Sequence, residues 1–212
     1  LNQAYQQTNE ESFKTESLDL IDHLIKREPY DRVVLNEVNT FFTTNRMWEQ
    51  ASELISSRLS KMAWDINIYE KLIFIQANWG IELNQKSETD KATEHFIQVL
   101  QIYNEILQKR EQIDSMPSSK RESSYMFRMT PIIALSAGQA YYMLGNYQEA
   151  SKLIAKGRVS RDYTLPLNRD IARWYLASLQ KQGQDDKSLY NKLIELDPSE
   201  PAKLQHILDI GA

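Results

Sequence analysis

Apolar residues recur at helical spacing along most of this chain. The first such stripe covers residues 13–25 and ends before Pro29, because the residue that precedes a proline avoids the α conformation. A second stripe covers residues 33–42 and runs into the polar segment TTNR, and a third follows at once over residues 48–59. The pattern predicts one helix and then two helices that meet at a tight turn.

The remainder of the chain continues this pattern. The apolar spacing predicts further helices over about 68–83, 91–113, 125–144, 147–157, 171–182, 186–197 and 202–210. Thr89 or Asp90 is the expected N-cap of the helix at 91–113, because short polar side chains accept hydrogen bonds from the free N–H groups of a first helical turn. Gly145 and Gly183 mark two of the turns between helices.

Two segments interrupt the helical pattern. Residues 1–11 are polar and lack sustained periodicity, which predicts a linker or a frayed N-terminus. Residues 115–124, SMPSSKRESS, are rich in turn-forming residues and predict a loop break. We therefore expect a single helical domain over residues 12–212 that contains this one internal break.

The composition favours helices over strands. Gly and Pro contribute 6 residues each to a chain of 212, about half of their average usage in proteins. Proteins built from β-strands need these residues at every turn, so the deficit indicates long helices joined by short connections. The predicted fold class is all-α.

One segment, ALSAGQAYYMLGNYQEASKLIAKG at residues 134–157, has the regular order of small, aromatic and turn residues that two closely packed helices require. The positions that carry this order are Gly138, Tyr141, Gly145, Tyr147, Ala150 and Ile154. Small residues at 138 and 150 allow two antiparallel helices to approach closely, and the glycine at 145 closes the turn between them. Tyr141 and Tyr147 are expected to fill the space between the helices.

This order resembles the consensus of the tetratricopeptide repeat superfamily. Degenerate copies fit residues 33–64 and 169–198, and residues from about 91 fit the second helix of a further unit whose turn, near 84–90, is expected to be lengthened. Equivalent small positions in the four units are Ala51, Ala92, Ala150 and Ser188, with spacings of 41, 58 and 38 residues instead of about 34. The resemblance implies an α-α superhelix, a solenoid of about four irregular helix-turn-helix repeats, with a C-terminal capping helix from Ala202.

A wider resemblance involves three segments, WDINIYEKLIFIQANWG, TPIIALSAGQAYYMLGNYQEA and RDIARWYLASLQKQG. Together they look like the soluble, repeat-bearing C-terminal region of O-antigen ligase or polymerase-like membrane proteins of Gram-positive bacteria. The resemblance implies a non-catalytic interaction module attached to a membrane-embedded parent that transfers glycans, with an extracytoplasmic location favoured over a cytoplasmic one. Because that family's catalytic residues lie in the membrane part, none is carried over to this chain. The chain begins at Leu1, which fits a piece of a longer polypeptide.

Charge and residue usage exclude several classes of function. With 25 basic and 29 acidic residues the net charge is -4, which gives no field that would attract nucleic acid. The longest apolar run has five residues, 140–144, whereas a membrane span needs about 20. The chain has no cysteine, and its three histidines do not share a metal-binding spacing, so we predict neither a metal nor a cofactor.

The repeat frame also predicts a binding surface on the concave side of the solenoid, where the first helix of each unit lies. The candidate groove residues are Asn36, Thr40, Gln139, Tyr142, Arg173 and Gln180. We expect them to bind a protein or peptide partner, with a polysaccharide as the other candidate ligand. Two further hypotheses remain open at this stage, a direct carbohydrate-binding module and a free cytosolic tetratricopeptide regulator.

Overall fold

The computed structural model describes residues 11–116 and 127–211, and within these ranges it contains helices and no strand. In chain order the helices are α1 (Glu11–Arg27), α2 (Arg32–Thr44), α3 (Trp48–Leu59), α4 (Ile66–Gln85), α5 (Thr89–Asp114), α6 (Pro131–Met143), α7 (Tyr147–Gly157), α8 (Pro166–Gln180), α9 (Lys187–Leu196) and α10 (Glu200–Ile210). The all-α prediction is confirmed. Most of the predicted linker at 1–11 and of the predicted break at 115–124 lies outside the described residues.

The contacts divide the chain into two compact units, residues 1–63 and residues 64–212. The boundary precedes α4, so the segment 115–124 lies inside the second unit. The single domain expected over residues 12–212 stays a prediction. None of the described helices combines the length and the apolar composition that crossing a bilayer requires.

Four turns between successive helices share one backbone conformation. Each has a residue in the left-handed region, followed by a residue whose N–H donates to the carbonyl five positions earlier, as in a Schellman motif. The left-handed residues are Arg46 (φ 55°), Ser87 (φ 63°), Gly145 (φ 79°) and Gly183 (φ 72°), and the donors are Met47 (2.8 Å), Glu88 (2.9 Å), Asn146 (2.8 Å) and Gln184 (2.9 Å). The chain therefore forms four helical hairpins, α2–α3, α4–α5, α6–α7 and α8–α9.

These turns follow the register that the sequence predicts. Each left-handed residue stands five positions before one of the small residues aligned in the repeat frame, which are Ala51, Ala92, Ala150 and Ser188. The three alanines are buried, whereas Ser188 is exposed. The expectation of a lengthened turn near 84–90 is wrong. The α4–α5 turn is as short as the others, and the extra residues lie in the long helices on either side of it.

Side-chain caps determine where several helices begin. The side chains of Asp31, Asp65, Thr130, Asn146 and Asp186 each accept a hydrogen bond from an N–H of the following first turn. The expected cap of α5 at Thr89 or Asp90 is wrong, because this helix follows the tight turn at Ser87 directly and its N-cap is Glu88, which makes no side-chain capping bond.

Small residues bring the helices of the central hairpin together. A Cβ on Gly138 would overlap Ile154 of α7, and one on Gly157 would lie 2.9 Å from the Cβ of Ala134 of α6. Of these two contacts, the one that lies earlier on α6 (residue 134) lies later on α7 (residue 157), so the two helices are antiparallel. Ile154 and Ala134 are fully buried, which confirms the close approach that the sequence predicts here.

The first unit has its own apolar core. Leu35 and Val38 of α2 and Ala51 and Ile55 of α3 are buried. Its α1–α2 loop is fastened by Arg58 of α3, whose Nε donates to the Pro29 carbonyl at 2.6 Å.

Candidate functional site

A cleft of about 730 Å³ opens in the second unit. From α4 it is lined by Phe74, Asn78 and Ile81, which lie on one helix face because their positions differ by four and three. The α4 helix is the first helix of its hairpin. This volume is typical of ligand sites.

The next two hairpins contribute their first helices in the same way. Leu135 and Gln139 line the cleft from α6, and Asp170, Arg173 and Trp174 line it from α8. Leu135 and Trp174 belong to the main apolar core of this unit, so the floor of the cleft is continuous with that core. The cleft thus lies along three successive hairpins on the side of their first helices.

The fourth wall of the cleft is the C-terminal helix α10, which contributes Lys203, His206 and Ile207. This helix, expected to cap the last hairpin, packs on both helices of that hairpin, α8 and α9, and also reaches back as far as α4. Its role as a cap stays a prediction. In the middle of α10, Nε2 of His206 lies 3.1 Å from the side-chain amide nitrogen of Gln85.

Three donors from earlier helices hold the carboxyl end of α10. The Tyr142 hydroxyl donates to the Ile207 carbonyl at 3.2 Å, and Nδ2 of Asn84 donates to the Ile210 carbonyl at 2.8 Å. The Tyr147 hydroxyl donates to the Gly211 carbonyl at 3.0 Å. The Ile207 carbonyl also accepts the N–H of Gly211 at 3.3 Å. The last carbonyls of a helix have no intrahelical partner, so the bonds to Ile210 and Gly211 satisfy groups that would otherwise need water.

The amino end of α10 is held by a network of charges. Glu200 is 1% exposed, and its Oε2 lies 2.7 Å from Nε of Arg173. This contact is an ion pair without hydrogen-bond alignment. A second nitrogen of Arg173, Nη1, contacts Asp170 at 2.7 Å, and Lys203 contacts Asp197 at 2.6 Å and Glu200 at 3.5 Å.

Burial also changes the pKa of the Asp170 carboxyl group. Loss of solvation raises its pKa, and the neighbouring Arg173 opposes that rise. Because Arg173 and Lys203 are both paired with carboxylates, the charged end of the cleft is close to balanced. An incoming charged group would find these partners already occupied.

Tyr142 requires a correction. It was expected on the open concave surface, but its side chain is fully buried, with its ring 5.3 Å from that of Trp174 and 5.1 Å from that of Tyr147. Burial also raises the pKa of its hydroxyl. The physical reason is α10, which lies over this side of α6. The neighbouring Tyr141, expected in the core, is only half-buried.

The other five predicted groove residues are scattered. Gln139 and Arg173 line the cleft. Gln180 is exposed at the end of α8 and is absent from the lining, while Asn36 and Thr40 are exposed on α2 of the first unit. Of the six, the cleft brings together only Gln139 and Arg173.

Sequence reasoning missed most of the apolar lining. The sequence predicts that Phe74 and Ile81 belong to a helix, but it did not assign them to a site, although they line the cleft from α4. The signal that could have found them is their helical spacing, which places them on one face of α4. The lining from α10 had no comparable signal, because it depends on where that helix packs.

The lining of the cleft is mostly apolar. In residues 11–116 and 127–211, no three His, Asp or Glu residues are grouped so that they could hold a metal ion. The apolar lining, with paired charges at one end, suits a ligand that presents apolar groups and few unpaired charges.

Comparison with known proteins finds no matching family model, and no curated protein or solved structure matches the chain.

Proposed function

We propose that this chain is a non-catalytic interaction module of the tetratricopeptide type and that its cleft binds a segment of a partner protein. The observation that carries the proposal is the position of the cleft, along the first helices of three successive hairpins. Four turns of identical hydrogen bonding support a repeat architecture. In such arrays the first helices form the surface that holds an extended partner.

A protein segment suits this cleft better than a polysaccharide. The lining is mostly apolar, with Phe74 as a partly exposed aromatic group and Leu135 as a buried aliphatic one. Trp174 is 6% exposed, so its ring face does not form an open platform for a sugar. A segment with two or three apolar side chains, held in extended or helical form, would bury them against these residues.

We also propose, from the sequence resemblance alone, that the chain is the aqueous part of a membrane-anchored protein of glycan transfer. The test is the complete reading frame, in which about ten hydrophobic spans of roughly 20 residues each are expected upstream. Fractionation of the full-length protein should place it with the membrane. A complete protein without such spans would leave the free cytosolic regulator as the better proposal.

The binding proposal can be tested by cross-linking followed by titration. A photo-reactive amino acid is placed at Asn78, which lines the cleft, and in a control protein at Gln98, which is exposed on α5. The full-length protein is irradiated in its own cells. We expect one protein to be cross-linked from position 78 and not from position 98.

The identified partner is then titrated against two variants of similar chemistry. Ala202→Trp adds bulk at an exposed position that lines the cleft, and Ala155→Trp adds the same bulk at an exposed position on α7 outside it. Only Ala202→Trp should weaken binding, by about tenfold or more, the factor for 1.4 kcal/mol. Equal affinity of both variants would show that the partner binds elsewhere, and glycan binding that Ala202→Trp abolishes would favour the carbohydrate hypothesis.

A further inference from the structure

A second, smaller cavity of about 170 Å³ lies in the second unit, between the segment that follows α7 and the first turns of α9. Its polar lining consists of Arg158, Arg161, Lys192, Tyr163, Ser188 and Asp186. Three of these side chains are cationic, two carry a hydroxyl group and one is acidic. In a chain of net charge -4, this cavity is a local excess of positive charge.

Arg158 is fixed in place by aromatic groups. Its Nη2 donates to the hydroxyl of Tyr163 at 3.2 Å, and its guanidinium lies over the ring of Tyr175, 4.6 Å from the centroid. Tyr163 is buried. A guanidinium held this way loses little side-chain entropy when it binds a ligand, and its planar set of donors suits a tetrahedral oxyanion.

The described residues form no ion pair with the three cations of this cavity, Arg158, Arg161 and Lys192. The acidic group in the lining, Asp186, is already used, because its Oδ1 accepts the N–H of Leu189 at 3.0 Å as the cap of α9. This contrasts with the cleft, where Arg173 and Lys203 are both paired.

We propose that this cavity is a binding site for a phosphate group, either as the free anion or as part of a phosphorylated ligand. Three cations against one engaged carboxylate leave a net charge that suits a dianion better than a carboxylate. The hydroxyls of Tyr163 and Ser188 supply neutral donors for the remaining oxygens. The site is separate from the cleft and does not depend on the proposed protein partner.

The test is a titration of the ¹⁵N-labelled protein with inorganic phosphate at constant ionic strength, followed by amide chemical shifts. We expect saturable shifts at Ser188 and Leu189. Sulfate should compete with phosphate, and acetate should bind more weakly because it carries one negative charge. A phosphate monoester such as glycerol phosphate distinguishes the sources, since binding as tight as that of free phosphate indicates a phosphorylated ligand.

Three variants test the role of the cations. Arg161→Gln and Lys192→Gln each remove an exposed cation from the cavity, and Lys156→Gln removes an exposed cation from α7 outside it. Each cavity variant should weaken phosphate binding about tenfold, as expected for the loss of a charged hydrogen bond, while Lys156→Gln should leave it unchanged. Linear shifts without saturation, equal shifts with chloride, or equal effects of all three variants would overturn the proposal. Unchanged amide spectra without phosphate confirm that the variants fold.

Discussion

The close approach of α6 and α7 leads to a quantitative prediction for Gly138→Ala. The added Cβ would overlap Cγ1 of Ile154, lie 2.9 Å from its Cδ1 and lie 3.4 Å from the Ala150 carbonyl oxygen. Ile154 is fully buried, and its branched side chain has little freedom to move away. The helices must therefore shift apart or the side chain must leave its preferred rotamer.

Two opposing effects set the size of the change. Overpacking in a well-packed core costs about 1–3 kcal/mol, while alanine in place of glycine stabilises a helix interior by about 0.5–1 kcal/mol. We therefore expect Gly138→Ala to lower the free energy of unfolding by up to about 2.5 kcal/mol, the largest difference between these two ranges. The same exchange in an Ile154→Ala background should instead raise it by up to about 1 kcal/mol, because only the helix preference remains.

The assay is urea unfolding followed by tryptophan fluorescence in a Trp48→Phe background. The remaining tryptophans, Trp64, Trp79 and Trp174, all lie in the second unit, so the signal reports that unit. Ile154→Val is the matched control, since valine retains the overlapping Cγ1 and should not rescue Gly138→Ala. A stabilising effect of Gly138→Ala in the parent protein, or the same effect in both backgrounds, would refute the packing argument.

Three further predictions concern single sites. Ser87→Gly should raise the free energy of unfolding by up to about 1 kcal/mol, since an exposed serine at φ 63° is strained where glycine is not, and urea midpoints will show it. Glu200→Gln should lower it by about 2 kcal/mol because Arg173 loses one of its two carboxylate partners and keeps only Asp170, whereas Arg173→Met with Glu200→Met should lose less. Burial lowers the pKa of His95 below its usual 6.5; the unfolded chain then binds more protons, so stability should fall as the pH falls below about 6.5. Urea midpoints from pH 8 to 5 measure this, and His95→Gln should remove that part of the slope.

Much of the helical pattern follows from local sequence. The bounds of α7, Tyr147–Gly157, match the prediction, because the turn glycine, the Asn146 cap and the apolar stripe all indicate the same segment. The tight turn at Arg46 was predicted without a glycine, and the structure places that residue at φ 55°. Helix bounds and turns of this kind can be predicted because they depend on contacts between residues that are close in the sequence.

The helix starts at α6 and α8 were predicted less well. The apolar residues near 125–129 extended the predicted α6 stripe, yet residues 127–130 are not helical and Phe127 packs its ring 5.7 Å from that of Tyr69. The helix begins at Pro131 after the Thr130 cap. In α8 the residues just before the predicted start at 171 are polar, among them Asp170, which pairs with Arg173. An apolar pattern therefore did not reveal the beginning of this helix at Pro166.

The position of α10 shows why the candidate site was harder to predict than the hairpins. Its buried residues Leu204 and Ile207 predict an apolar face but do not specify which surface that face covers. The choice depends on donors such as Tyr142 and Asn84, which stand 65 and 126 positions before the carbonyls they bind. Because α10 satisfies these donors and covers Tyr142, the cleft is the part of the first-helix surface that α10 leaves open. We therefore expect the proposed partner segment to bind beside α10, with its apolar side chains between this helix and α4.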